Sequence, residues 1–80
     1  MNYIGMVLQL VSDVGDTAVK LHEVNVNTAD NYLRLRTDHG NYSAIFSLLL
    51  TSQARKLPIT IRVFDGNAGY IQAAGLTFPI

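Results

Sequence analysis

The stretch NYSAIFSLLLTSQARKLPITIRVFDG, Asn41 to Gly66, decides the fold. Asn41 or Ser43 can cap a helix that then meets no glycine or proline before Pro58. Arg55 and Lys56 suit the negative end of the helix dipole, and Pro58 forbids continuation. Leu57, Ile59, Ile61 and Val63 then alternate with Thr60 and Arg62, the period of a strand. The spacing therefore predicts a helix over about 42–56 that feeds directly into a strand. Between Ala44 and Leu50, six of seven residues are apolar. Burial against one core needs only about three positions in seven. Ile45, Leu48 and Leu49 share a face, Phe46 and Leu50 flank it on one side, and Ala44 on the other. The excess calls for deep seating in the fold or for a partner chain, with Ala44, Ser47, Leu48 and Thr51 as the candidate oligomer interface.

Upstream, Tyr3–Val11 reads as a strand with Ile4, Met6, Leu8 and Leu10 inward and Gly5 and Gln9 outward. Ser12–Thr17 is a turn, rich in the Asp and Gly that turns require. Ala18–Val26 is a second strand whose apolar parity changes, which predicts a bulge near His22–Glu23. Asn27–Asn31 is a loop. Tyr32–Thr37 is a third strand, with Leu33 and Leu35 inward and Arg34 and Arg36 outward. After the helix and the fourth strand come a turn at Asp65–Gly69 and a last strand, Tyr70–Phe78. The order β-β-β-α-β-β is that of the OB-fold, an all-β Greek-key barrel with one helix. A ferredoxin-like domain would need an early helix, and the first 40 residues lack the period for one. A single OB-fold domain over residues 1–80 is expected, with barrel closure removing the sheet edges.

Composition narrows the function classes. In 80 residues, 49% are hydrophobic and 15% charged, which excludes disorder. The apolar runs are too short and interrupted to predict a membrane span. Six basic residues balance six acidic ones, so no global charge draws the chain to nucleic acid or anionic lipid. There is no cysteine for a disulfide or a thiol nucleophile. MNYIGMVLQL lacks the basic start and small-residue cleavage site of a signal peptide.

The stretch YSAIFSLLLTSQARKLPITIRVFDG, continued by GYIQAAGLTF, resembles the C-terminal half of the binding (B) subunits of pentameric bacterial toxins, the pertussis-like and subtilase-cytotoxin-like ones. The matching positions are Tyr42, Leu48, Leu49, Leu50, Gln53, Ala54, Ile59, Ile61, Val63, Ile71 and Leu76. GMVLQLVSDVGDTAVKL, residues 5–21, is similar to that family's opening hairpin. The resemblance implies a ring of five barrels with the helices around a central pore, a glycan ligand, secretion, and a binding role for Ser12. The residues themselves leave the compartment open between secretion and the cytoplasm.

No enzymatic arrangement is visible. His22 and His39 stand seventeen positions apart on different elements, the serines lack a nucleophile motif, and no metal-ligand spacing occurs. No cofactor, no metal and no catalytic residue is expected. OB-folds bind through the first and last turns and the outer faces of the second and third strands. The two turns hold Ser12, Asp13, Asp16, Asp65, Asn67 and Tyr70: carboxylates, amides and hydroxyls beside an aromatic ring, which suit a sugar. The candidate glycan set is Ser12, Asp13, Asp16, Asn67 and Tyr70. The rival is single-stranded nucleic acid on Lys20, Tyr32, Arg34 and Arg36. A third class is a protein that only assembles.

Overall fold

The alternating segments form strands and the apolar run forms the one helix, within residues 2–64 and 68–76, which the computed structural model describes. In chain order these are β1 (Asn2–Gly5), β2 (Val7–Ser12), β3 (Asp16–Leu21), β4 (Leu33–Arg36), α1 (Tyr42–Arg55), β5 (Ile59–Val63) and β6 (Ile71–Leu76). They make two three-stranded antiparallel sheets, ordered β1-β5-β6 and β2-β3-β4. The closed barrel expected from the sequence is thus not formed by the described strands. The two sheets are joined by an isolated parallel bridge between Arg34 of β4 and Tyr70, the residue before β6, supported by the Arg34 N–H donating to Gly69 O at 2.9 Å. Gly69 makes that approach feasible. Its φ is +73°, and a Cβ there would lie 2.7 Å from Thr28 Cγ2 and 3.3 Å from Tyr32 O.

The first strand differs most from its sequence reading. It is broken at Met6, so one stretch serves both sheets: β1 pairs Tyr3 with Ile61, and β2 pairs Leu10 with Val19. The predicted inward set is largely reversed in its first half. Ile4 and Leu8 are 64% and 52% exposed, while Val7 is buried and Tyr3 packs against the core. The Tyr3 hydroxyl donates to Val26 O at 2.9 Å. A register shift between Val7 and Gln9 then switches parity, and Leu10 turns toward the core. With a side-chain period of two, one irregular residue inverts every later position.

The expected bulge at His22–Glu23 is instead a turn that ends β3, with Glu23 at φ 57°. Val26 is still buried although it lies in no strand, and its N–H is held by Asn31 Oδ1 at 2.9 Å. Irregularities fall at Val7/Gln9 and Arg62/Val63. The part of the expected last strand beyond Leu76 lies outside the described residues.

The helix seats deeply. Ile45, Leu49 and Ser52, at i, i+4 and i+7, are buried, and Phe46 and Leu48 pack against the same core. Val19, Leu21, Leu33, Leu35, Ile59, Ile61 and Ile71 complete that core from both sheets. Most of the apolar excess is therefore absorbed, leaving Leu50 47% exposed and Ala44 outward. Asn41 stands at the N-cap without a side-chain capping bond. At the other end Lys56 turns left-handed, at φ 55° and ψ 42°, and its N–H and that of Leu57 both donate to Ser52 O. Glycine is the usual residue there, and a side chain in this conformation costs about 1 kcal/mol.

Candidate functional site

Alternation on β3 and β4 builds one outward face. Thr17, Val19 and Leu21 point inward from β3, and Leu33 and Leu35 from β4. Asp16, Ala18, Lys20, Arg34 and Arg36 are left outward, with Asp16 opposite Arg36 and Ala18 opposite Arg34. Lys20 Nζ lies 5.7 Å from the centroid of the Tyr32 ring, and the Tyr32 hydroxyl donates to Gln9 Oε1 at 2.9 Å. The four residues of the nucleic-acid reading, Lys20, Tyr32, Arg34 and Arg36, therefore share a face.

The loops around that face neutralise it. Arg34 is ion-paired with Asp30. Arg36 makes a two-pronged bond to Asp38, Nε to Oδ1 at 3.0 Å and Nη2 to Oδ2 at 3.2 Å. The Tyr32 backbone N–H, with Arg34 beside it, holds the Asp30 carboxyl below the usual carboxylate range. Hydrogen bonds from Arg36 do the same to Asp38, and Asp38 in turn raises Arg36. Both carboxylates thus stay charged at neutral pH, and these exposed pairs lose their attraction only as pH falls below that range.

At the helix-ward end of β4 the face folds into a cleft of about 370 Å³, walled by Arg36, Asp38, His39, Phe64 and Tyr70. The Arg36 guanidinium carbon sits 5.7 Å from the Tyr70 centroid, and Phe64 is 51% exposed. His39 Nδ1 accepts the Asn41 N–H at 2.9 Å, so Nε2 carries the hydrogen and donates to Gln72 O at 2.9 Å. The ring is thereby fixed between the helix start and β6.

Of the residues proposed from sequence for a sugar, Asp16 and Tyr70 are drawn together around Arg36. The turn between β2 and β3 lies against the end of β4, where Thr37 N–H and Oγ1 both donate to Gly15 O, at 3.0 and 3.2 Å. Ser12 is exposed and pairs with Thr17. Asp13 is spent within its own turn, Oδ1 accepting the Val14 N–H at 2.7 Å. Asp65 and Asn67 lie outside the described residues. Asp38, His39 and Phe64 as cleft walls were not read from the sequence. The Arg36-x-Asp38 spacing was the available signal for the first. Of the candidate interface positions, Ala44 and Ser47 face outward, Leu48 packs on the core, and Thr51 is half-buried.

Among the described residues no group of three His, Cys, Asp or Glu stands close enough to hold a metal, and no helix is long and apolar enough to cross a membrane. Compared with protein-family models, with curated proteins and with solved structures, the chain gives no match.

Proposed function

We propose that this chain is a non-enzymatic OB-type binding module that takes a glycan at the Arg36–Tyr70 cleft and works as a homo-oligomer, a pentamer by preference. The observation that carries the ligand is the cleft itself. It joins an aromatic face to a carboxylate, a guanidinium and an imidazole, and a sugar offers both an apolar ring face and hydroxyls that donate and accept. Asp16 stands opposite Arg36 on the neighbouring strand. The first strand shared between two sheets, with the parallel Arg34–Tyr70 bridge, supports the OB-type connectivity. Nucleic acid is the weaker reading because Arg34 and Arg36 are each committed to an aspartate, and strand binding depends on cations free to replace counterions. On a glycan array the protein should bind, and Tyr70→Ala should lower the affinity about tenfold or more. Oligonucleotide binding that survives physiological salt, with a blank array, would overturn the glycan reading. Silence in both assays would leave assembly as the function.

The oligomer rests on the outward side of α1. Ser43, Ala44, Ser47, Leu50 and Ala54 are exposed there without a charge among them. Ser47 and Thr51 turn their hydroxyls back on the helix, donating to Ser43 O and Ser47 O at 2.9 Å each. A solvent-facing helix normally carries charge. The far half of β2 adds an uncharged outer strand with Val11 exposed, the kind of edge that pairs with another chain. Light scattering should give an assembly at high micromolar concentration, and Ala44→Glu should dissociate it with the fold intact. A clean monomer, or an Ala44→Glu variant that assembles fully, would refute this interface.

A further inference from the structure

A second cavity, of about 440 Å³, opens away from the sugar cleft, where the break at Met6 meets the end of α1. Its volume falls within the range of small-molecule sites, about 300–1,000 Å³. Met6, Val7 and Leu8 form one wall, and His22, Gln53 and Lys56 the other. Two features distinguish it. The first is charge. His22 and Lys56 both line it, and no carboxylate does. Glu23, which does not line the cavity, pairs with His22 Nε2 at 4.0 Å and its side chain is 83% exposed. The second is Lys56 itself. It occupies the left-handed position after the helix, at φ 55°, where glycine would sit without strain. The chain thus keeps a long cation at a site whose backbone favours a residue with no side chain, and backbone strain of this kind gathers at binding sites.

We propose that this cavity binds an aliphatic monocarboxylate, its chain against Met6 and Leu8 and its carboxylate between Lys56 and His22. The apolar wall and the basic side chains of Lys56 and His22 are complementary to the two halves of such a molecule. Val7 is already buried beneath the site, and its N–H is taken by Ser52 Oγ at 3.1 Å. The Gln53 amide bonds Leu8 O at 3.4 Å. The backbone polar groups on this wall are therefore largely satisfied, and the alkyl chain would strand few of them.

Octanoate is the probe, with octan-1-ol as its uncharged counterpart. In a carbon-proton NMR titration the Met6 methyl and Leu8 methyls should shift saturably with octanoate, and octanol should bind about tenfold more weakly. Lys56→Gly separates binding from folding: it relieves the left-handed strain, so the melting temperature should hold or rise while octanoate affinity falls about tenfold. His22→Gln should also weaken binding, and Arg55→Gln, a neighbouring cation outside the cavity, should not. The proposal fails if octanoate at millimolar concentration leaves both residues unmoved. It fails equally if octanol binds as well as octanoate, or if Lys56→Gly binds octanoate like the parent.

Discussion

Leu49→Ala is expected to cost about 2–5 kcal/mol of folding stability. Leu49 is fully buried at the centre of the α1 stripe, between both sheets, and truncation there leaves a cavity the surrounding strands cannot fill. Small domains have about 5–15 kcal/mol in total, and an 80-residue chain sits toward the bottom of that range. Urea unfolding followed by circular dichroism should therefore show the midpoint falling by a third or more, roughly in proportion to that loss. Leu50→Ala is the internal control, read at a concentration where the chain is dissociated. Its side chain is 47% exposed, and the change should cost about 1 kcal/mol or less. Equal effects at the two positions would mean that the helix is not rotated as described.

Ser52→Ala should come next, at about 2–4 kcal/mol. Ser52 is fully buried on the last turn of α1 and its hydroxyl serves two elements at once. It accepts the Val7 N–H at 3.1 Å and donates to Leu57 O at 2.6 Å. Alanine fills nearly the same space but strands both backbone groups, at about 1–3 kcal/mol for each one left dry. Val7 begins β2 directly after the break at Met6, so this one hydroxyl fastens the irregular point of the first strand to the helix end. Hydrogen exchange gives the specific readout: the Val7 amide should lose protection by more than the global loss of stability explains. Uniform loss of protection across the chain would show that Ser52 matters only as packing.

The two substitutions probe features of different legibility. That Leu49 faces the core follows from spacing, since Ile45, Leu48 and Leu49 share one face of the helix. No pattern identifies Ser52 as a strut. Its partners are 45 residues away in one direction and five in the other, and a serine on a helix reads the same whether its hydroxyl bonds a strand or its own helix, as that of Ser47 does. The candidate site divides likewise. Alternation alone puts Arg34 and Arg36 outward. Whether their charge is available to a ligand depends on Asp30 and Asp38, which loop conformation brings within bonding distance. Tyr70 could be named as a sugar platform from its type and turn, but its place beside Arg36 needs the Arg34–Tyr70 bridge.

The sequence by itself determined the elements whose cause is local. Tyr42–Arg55 is a helix because its apolar residues repeat at the right period and Pro58 bars its extension. Leu33–Arg36 and Ile59–Val63 are strands because they alternate cleanly between loop signals. Only the tertiary structure decided the division of the first strand at Met6, the inward turn of Tyr3 and Val7 in place of Ile4 and Leu8, and the two sheets in place of a closed ring. Both faces of that strand are apolar enough to be buried, so its own pattern hardly separates one register from the next. The choice falls to distant partners: the Val26 carbonyl that takes the Tyr3 hydroxyl, the Ser52 hydroxyl that takes the Val7 N–H, and the β3 and β5 ladders that claim opposite ends of one chain segment.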